Sequence, residues 1–431
     1  MSKIDPDEAA REEQIQRILK QVEENLRRNL KRGIRPLDEI ELEVEQIGES
    51  IKETITKEVV DKFGTAYVGS RAVCRCGCSA RYSGKRTRQM ITLHGVVPIC
   101  RAYYYCKRCK EGFCPLDQQL QLSRNQCSRS VQCLIARFCS YLPFAIAAQE
   151  LEIVSGIRLS ATTLQHYVQQ IGRRIEDEWE HREQQVLSSR APSSGQRPRR
   201  VHISMDGAFA HIGGDWREVK LAAAYQRHAS GGVHSTRYYG TVDISREFGP
   251  KVRTLAHYSG TDRCADVQMV ADGAPWIWQE TGKYFPTSVQ TLDYYHGAEH
   301  LADAARARYG EGTQSFKDWL SQLKSLVLED QVDTAAAEIE AWKPRKHKSR
   351  ETKRKVINFL KTHRHRMKYK TLKAQGYHIG SGVMEAGCKT VTKARMAGAG
   401  MRWEPKGAQA IIHLCAHWRS YDCDGFKRFT N

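Results

Sequence analysis

The stretch from Val201 to His296 decides the fold. VHISMDGA (201–208), REVKLAAAY (217–225) and STRYYGTVDIS (235–245) are apolar, β-branched and aromatic runs with turn residues between them, and they read as three consecutive strands. VQMVADGA (267–274) and VQTLDYYH (289–296) read as two more, each followed by the start of a helix. Strands in succession, then strands alternating with helices, predict a multidomain α/β protein. Downstream, a long helical and basic section runs from about 298 to 375, and GSGVMEAGCKTVTKARM (380–396) opens a further helix after a Gly-Ser-Gly turn.

Upstream, APSSGQRPRR (191–200) is the best linker candidate. Before it, FAIAAQELEIVSGIRLSATTLQHYVQQIGRRI (144–175) reads as a helix, a glycine turn and a second helix capped by Ser160. That is a helix-turn-helix pattern, with a packing hairpin as the plainer alternative. Residues 70–117 are rich in Cys, Arg and Tyr, with β-like runs such as MITLHGVVPICRAYYYC (90–106). Residues 1–62 show an apolar stripe at Ile15, Ile18, Leu19 and Val22, continued by Ile40, Leu42, Val44, Ile47 and Ile51 beyond a break at Gly33–Pro36. Two amphipathic helices are expected there, forming a packed arm or an oligomerising coiled coil.

The chain has 431 residues, enough for two to four domains, and 40% hydrophobic residues, enough for a substantial core. Its formal net charge of +19 calls for a polyanionic partner, nucleic acid or an acidic membrane surface. No apolar run of about 18 residues is present, and MSKIDPDEAAREEQ lacks the core of a signal peptide. A soluble cytoplasmic, nucleoid-associated protein that works on nucleic acid, and not at a membrane, is the expectation.

Three acids stand out by setting. Asp206 and Asp272 each end an apolar run and precede glycine, and Glu385 lies near a helix start. Carboxylates so placed can converge at a sheet edge, where hard oxygen donors suit a pair of Mg²⁺ (or Mn²⁺) ions for phosphoryl transfer. Asp-Gly is also a plain turn signal, so spacing alone is weak. The order of elements adds to it. Three strands, two strand–helix units and a Glu-bearing helix follow the order of the RNase H-like fold, whose first strand, fourth strand and last helix supply metal ligands. The separation of 113 positions from Asp272 to Glu385, against 66 from Asp206 to Asp272, implies an inserted helical block.

Seven of the 14 cysteines fall between Cys74 and Cys114, which suggests a metal site, whereas the scattered ones (Cys127, Cys133, Cys139, Cys264, Cys388, Cys415, Cys423) suit small buried side chains. Cys106 and Cys109 form a CxxC knuckle. Its partner comes from Cys74, Cys76 and Cys78, whose tighter spacing leaves the choice open, with Cys100 and Cys114 spare. A structural Zn²⁺ in a zinc-ribbon-like unit is expected. The densest positive segment is KPRKHKSRETKRKVINFLKTHRHRMKYK (343–370). Lys343, Arg345, Lys346, Lys348, Arg350, Lys353, Arg354 and Lys355, interleaved lower down with Phe359, Leu360 and Tyr369, are expected to track a DNA backbone. Lys389, Arg395 and Arg402, with Trp403, are weaker candidates beyond Glu385.

The blocks ADGAPWIW (271–278), LDYYHGAEHL (292–301), GYHIGSGVMEAGCK (376–389) and AGMRWEPKGAQA (399–410) resemble signature blocks of bacterial insertion-sequence transposases of the ISKra family. The MDG strand and CRCG…RAYYYCKRCKEGFCPLD fit the same resemblance, which runs from about residue 70 to the C-terminus. It implies a DDE transposase that binds terminal inverted repeats and catalyses strand cleavage and strand transfer, with Asp206, Asp272 and Glu385 on the metals. It favours Cys74 and Cys76 as zinc ligands, implies a helical insert that grips transposon ends, and implies a homodimer or higher oligomer on double-stranded DNA. Asp293 and His296 resemble an Asp-x-x-His motif of such enzymes, His acting on phosphate or a leaving oxygen and Asp orienting it, with a structural strand-end pair as the alternative. An RNase H-like nuclease and a catalytically inactive DNA-binding regulator are the competing readings. The expected organisation is an amphipathic arm (1–65), a zinc-ribbon-like unit (66–117), a helix-turn-helix region (118–190), the RNase H-like core in two parts (200–297 and 379–431) and a basic helical insertion (298–378).

Overall fold

In the computed structural model, residues 6–122, 125–191, 197–228 and 231–420 are described. They form a multidomain α/β protein with two sheets. Two long helices, α1 (Pro6–Leu30) and α2 (Leu37–Asp61), open the chain. In α2, Ile40, Ile47 and Ile51 are half-buried, one face of a 3.6-residue period, whereas Leu42 and Val44 fall off that face and are exposed. Then β1 (Arg71–Val73), β2 (Ser79–Thr92), β3 (Gly95–Cys106) and β4 (Glu111–Phe113) make an antiparallel sheet in chain order. Its centre is the long β2–β3 hairpin, closed at Thr92↔Gly95, where Gly95 adopts φ +99°. A two-pronged ion pair, Arg101 to Asp117 at 2.8 and 2.7 Å, ties β3 to the short α3 (Pro115–Gln119).

Next come α4 (Arg129–Tyr141), α5 (Phe144–Ser155) and α6 (Ala161–Leu187). Gly156 turns at φ +65°, and Ser160 Oγ accepts the backbone N–H of Thr163 at 3.1 Å, so the cap read from the sequence is formed. The chain divides into two compact units. One comprises the described residues up to Phe138 with Phe144–Leu164, and the other Cys139–Pro143 with the described residues from Gln165 on. The division therefore passes through the 118–190 segment rather than at 191–200. The centre of the expected linker, residues 192–196, lies outside the described residues.

The second unit is built on a five-stranded mixed sheet: β5 (Arg200–Ile212), β6 (Asp215–Arg227) and β7 (Val233–Thr241) are antiparallel, and β8 (Asp266–Ala271) and β9 (Val289–Leu292) run parallel to β5. The order across the sheet is β7-β6-β5-β8-β9. Val201–Met205 and Leu221–Tyr225 are buried without alternation, as in strands covered on both faces. Helix α7 (Ser245–Tyr258) joins β7 to β8, and α8 (Pro275–Tyr284) joins β8 to β9. A helical block follows: α9 (Tyr294–Tyr309), α10 (Gln314–Leu328), α11 (Val332–Ala341), α12 (His347–His363) and the short α13 (Tyr369–Ala374). Its core holds Leu301, Trp319, Leu323, Ile339, Val356, Leu360 and Tyr369. Leu360 and Tyr369 thus serve packing, not contact with a strand of nucleic acid.

Helix α14 (Gly382–Gly387) continues through a π-helical turn, Cys388–Lys393, into α15 (Ala394–Met396), and α16 (Pro405–Ser420) packs on β7. Two glycines permit this closeness. A Cβ on Gly387 would stand 2.7 Å from the Tyr238 ring on β7, and one on Gly172 in α6 would stand 2.5 Å from Ala410 Cα on α16. Cys127, Cys139, Cys388 and Cys415 are buried as expected, Cys133 and Cys264 are only half-buried, and Cys423 lies outside the described residues. Among the described residues no helix is long and apolar enough to cross a membrane.

Candidate active site and metal centre

The parallel pairing of β5 with β8 carries two carboxylates to one place. Its last paired residues are Ile203 and Met269; three residues on along each chain stand Asp206 and Asp272, side by side across the carboxyl end of the pair. Asp206 Oδ1 accepts the N–H of Gly207 at 2.7 Å, and its Oδ2 accepts the thiol of Cys388 at 3.3 Å, so the π-helical turn rests on this strand. Asp272 Oδ1 accepts the N–H of Ala274 at 2.9 Å, and its carbonyl accepts the Trp278 indole at 2.8 Å, which fixes the turn into α8. Neither carboxylate belongs to an ion pair among the described residues. Burial raises the Asp206 carboxyl above the usual carboxylate range, and the charge of Asp272 adds to this, against relief from Gly207, Cys388 and Lys393. The same surroundings push the Cys388 thiol well up.

Glu385 lies on α14, one turn before Cys388, but its carboxylate is exposed and bonds Lys389 Nζ at 2.7 Å, which lowers its pKa. Lys389 is therefore committed to Glu385 and is not a free phosphate ligand. Among the described residues, no three carboxylates bring oxygens within 4.8 Å of one another.

Asp293 caps α9. Its Oδ1 accepts the N–H groups of Tyr295 (2.6 Å) and His296 (3.3 Å), and its Oδ2 accepts the N–H of Ser381 (2.8 Å) and the Ser381 hydroxyl. It touches the backbone of His296, not the imidazole, so the expected orienting contact is replaced by a latch. This latch joins the start of α9 to the residue preceding α14. Asp293→Ala is expected to lower stability by about 2 kcal/mol, a lost cap plus an orphaned Ser381 N–H. Denaturant unfolding measures it; a change within 0.5 kcal/mol, a rough noise limit for surface sites, would remove the latch.

His296 faces Glu299 at 3.6 Å and sits beside His300, ring centres 5.2 Å apart. His300 lies 3.8 Å from Phe359 of α12, and His363 lies 4.8 Å from the same ring. Burial lowers His300, with His296 adding to it and Asp303, Glu299 and, least, Asp272 opposing. Burial, with Arg366 next, brings His363 down to about 4. Two imidazoles held neutral by burial, His300 and His363, thus lie near Asp272, and Gly273 makes room for them: a Cβ there would meet Phe359 at 2.5 Å. Phe359 and His363 carry no local motif, and only the fold brings them here.

The basic segment divides by role. Lys343, Arg345, Lys346, Lys348, Arg350, Arg354 and Lys355 are exposed, and Lys346, Lys348 and Lys355 line a groove of about 540 Å³ that ends at His300. Lys353 is a correction: its ammonium donates to the carbonyls of Glu340 and Trp342 at 2.7 Å each and closes the end of α11. Arg395 is another. It is 2% exposed and donates to the Cys139 carbonyl at 2.7 Å, out of reach of any nucleic acid. Arg402 is exposed.

The candidate metal centre is built from the ends of β1 and β3. Gly77, at φ +78°, closes a turn in which its N–H meets the Cys74 carbonyl at 2.9 Å. Cys74 and Cys109 sulfurs are 3.5 Å apart, those of Cys76 and Cys106 are 3.7 Å apart, and all four lie within 4.8 Å. Zinc with bonds of about 2.3 Å spaces tetrahedral sulfurs by roughly 3.8 Å, so this donor set suits zinc. Cys78 stands aside, accepting Arg108 Nη1 at 3.1 Å. The backbone N–H of Cys78 brings Cys76 down to about 6, which favours a thiolate there.

The sequence profile of the uncharacterised protein family UPF0236 matches residues 29–426. The chain belongs to that family. No curated protein matches it.

Proposed function

We propose that this UPF0236 protein is a DDE transposase that binds the terminal inverted repeats of its own element, with Asp206, Asp272 and Glu385 as the metal ligands of an RNase H-like core. The observation that carries the reading is the in-register pair Asp206 and Asp272, two carboxylates at the carboxyl end of adjacent parallel strands, neither of them in an ion pair among the described residues. The sheet order, with the first strand central and the fourth parallel to it, supports the reading of an RNase H-like core. The resemblance of the surrounding blocks to ISKra-family transposases adds to it.

Mg²⁺ ions at such a site supply an activated water or 3′-hydroxyl and stabilise the leaving oxygen. The chain's own residues do the rest. The turn after β8 and the π-helical turn hold the two aspartates, and Glu385, now paired with Lys389, would turn to the metal as the third ligand. The exposed bases of α12 take backbone phosphates along the groove that ends at the imidazole cluster. The four-cysteine centre keeps the β1–β4 sheet folded around zinc, and the exposed Leu19, Leu26 and Leu30 of α1 support self-association.

The test incubates the full chain with DNA bearing its element's ends, a target plasmid and Mg²⁺. Joined product is the expected result. Nicking without joining points to an RNase H-like nuclease, and end binding without nicking to a DNA-binding regulator; either outcome removes the proposal.

A further inference from the structure

At the other end of the β5–β8 pair lies a second, wholly different place. Asp266 begins β8, six residues before Asp272, roughly 20 Å away at about 3.3 Å per residue. Beside it opens a cavity of about 570 Å³ lined by three arginines, Arg199, Arg200 and Arg227, and four histidines, His202, His228, His234 and His378. No acid lines it. The adjoining carboxylate, Asp266, is taken up by Arg200 (2.5 and 3.2 Å), which also donates to the Gly376 carbonyl at 2.6 Å and lies 3.5 Å from the centre of the Tyr377 ring.

The other cations are not so committed. The Arg199 side chain is exposed and has no partner among the described residues, and Arg227 gives one bond, to the Gly231 carbonyl at 2.5 Å. The rings of His228 and His234 stack at 4.1 Å. Burial and then His228 lower His234, and burial and then Arg227 lower His378. Arg200 is offset by Asp266, but Arg199 and Arg227 face the same cavity without a carboxylate partner among the described residues, and an anion between them offsets their repulsion. A metal ion does not fit. Among the described residues no three imidazole nitrogens approach within 4.8 Å, and the guanidinium groups repel cations.

We propose that this cavity binds a phosphate group, carried by a free nucleotide or by the backbone of a polynucleotide strand. Guanidinium forks match phosphate oxygens in pairs, imidazoles add single donors, and the volume lies in the range of small-ligand pockets. The site is independent of the metal chemistry proposed for Asp206 and Asp272.

Calorimetric titration of the full chain with inorganic pyrophosphate, in EDTA, tests it. Saturable one-to-one binding is expected, weakened about tenfold or more in Arg199→Glu/Arg227→Glu and unchanged in a charge-matched control, Lys20→Glu/Lys317→Glu. Arg199→Glu alone, at an exposed position, covers a folding failure of the double variant and is expected to weaken binding several-fold. Equal binding by variants and control, or no saturation in the parent, overturns the proposal. Competition then separates the sources. Displacement of pyrophosphate by ATP but not by a short oligonucleotide assigns the site to a free nucleotide; displacement by the oligonucleotide, lost in the same variants, assigns it to a strand.

Discussion

An Asp206→Asn protein is expected to bind element ends as the parent does, to lose metal-dependent cleavage by about 10³-fold or more, and to be the more stable of the two without metal. The first effect follows from the removal of a charged oxygen donor while the shape of the side chain is kept. The second follows from the electrostatics. Burial, reinforced by Asp272, raises the Asp206 carboxyl in the folded chain. A carboxyl raised on folding favours the protonated native state, so its contribution is present at acid pH and is lost as pH rises through the raised value. At neutral pH the metal-free parent therefore carries a buried charge, only partly relieved by Gly207, Cys388 and Lys393, that Asn lacks. Relief of about 1 kcal/mol, the scale gained when a functional site is neutralised, moves the unfolding midpoint up by a few degrees. Mg²⁺ should narrow the difference by stabilising the parent alone. Unfolding curves with and without Mg²⁺, together with a cleavage assay on labelled ends, measure both effects. Unchanged cleavage would sink the catalytic assignment, and a variant less stable than the parent in EDTA would show the carboxylate to be structural.

The strands were legible because β-branched and aromatic runs of four to eight residues between turns leave little else for the chain to do. Their ends were less so: the DGA after β8 and the DYYH after β9 read as strand but form a turn and a helix cap. Helix α7 was hidden by Pro250, which sits within it and looks like a breaker. The four zinc-suited thiols could be narrowed by motif, but only the turn at Gly77 tells Cys76 from Cys78, since it aims one sulfur inward and leaves the other to Arg108.

Side-chain commitments were the least legible part. A run of bases announces a charged face, yet nothing in KPRKHKSRETKRK says that Lys353 is spent on α11 while Arg354 stays exposed. Asp293 finds Ser381 across 88 residues, and His300 finds Phe359 and His363 only because α9 and α12 pack together. The same holds for Glu385. Its place near a helix start was readable, but the i,i+4 spacing to Lys389 is equally consistent with an exposed ion pair and with a lysine free for phosphate, and the structure forms the pair.

Cys106→Ser is expected to release zinc and to unfold the β1–β4 end of the first sheet, whereas Cys78→Ser should leave both intact. The sheet is poorly supplied at that end. The buried cluster there consists of Cys74, Ala80, Ala102, Tyr104 and Cys106, so two of its five members are themselves ligands. Structural zinc in small domains contributes on the order of 10–16 kcal/mol, far more than such a cluster supplies. The loss should stay local, because a second cluster of Met90, Val97, Ile99 and Leu116 holds the other end of the hairpin with α3. Zinc per chain by atomic absorption and amide exchange along β2 and β3 check this. Retained zinc in Cys106→Ser, or zinc lost in Cys78→Ser, would mean that a different set of thiols binds. Acid should mimic the Cys106 change. Zinc must displace thiol protons to bind, and while Cys76 gives up its proton at about 6, Cys109, sharing a proton with Cys74, holds its own up to about 12. Zinc affinity is therefore expected to fall steeply as pH drops, with the β1–β4 end opening as the metal leaves.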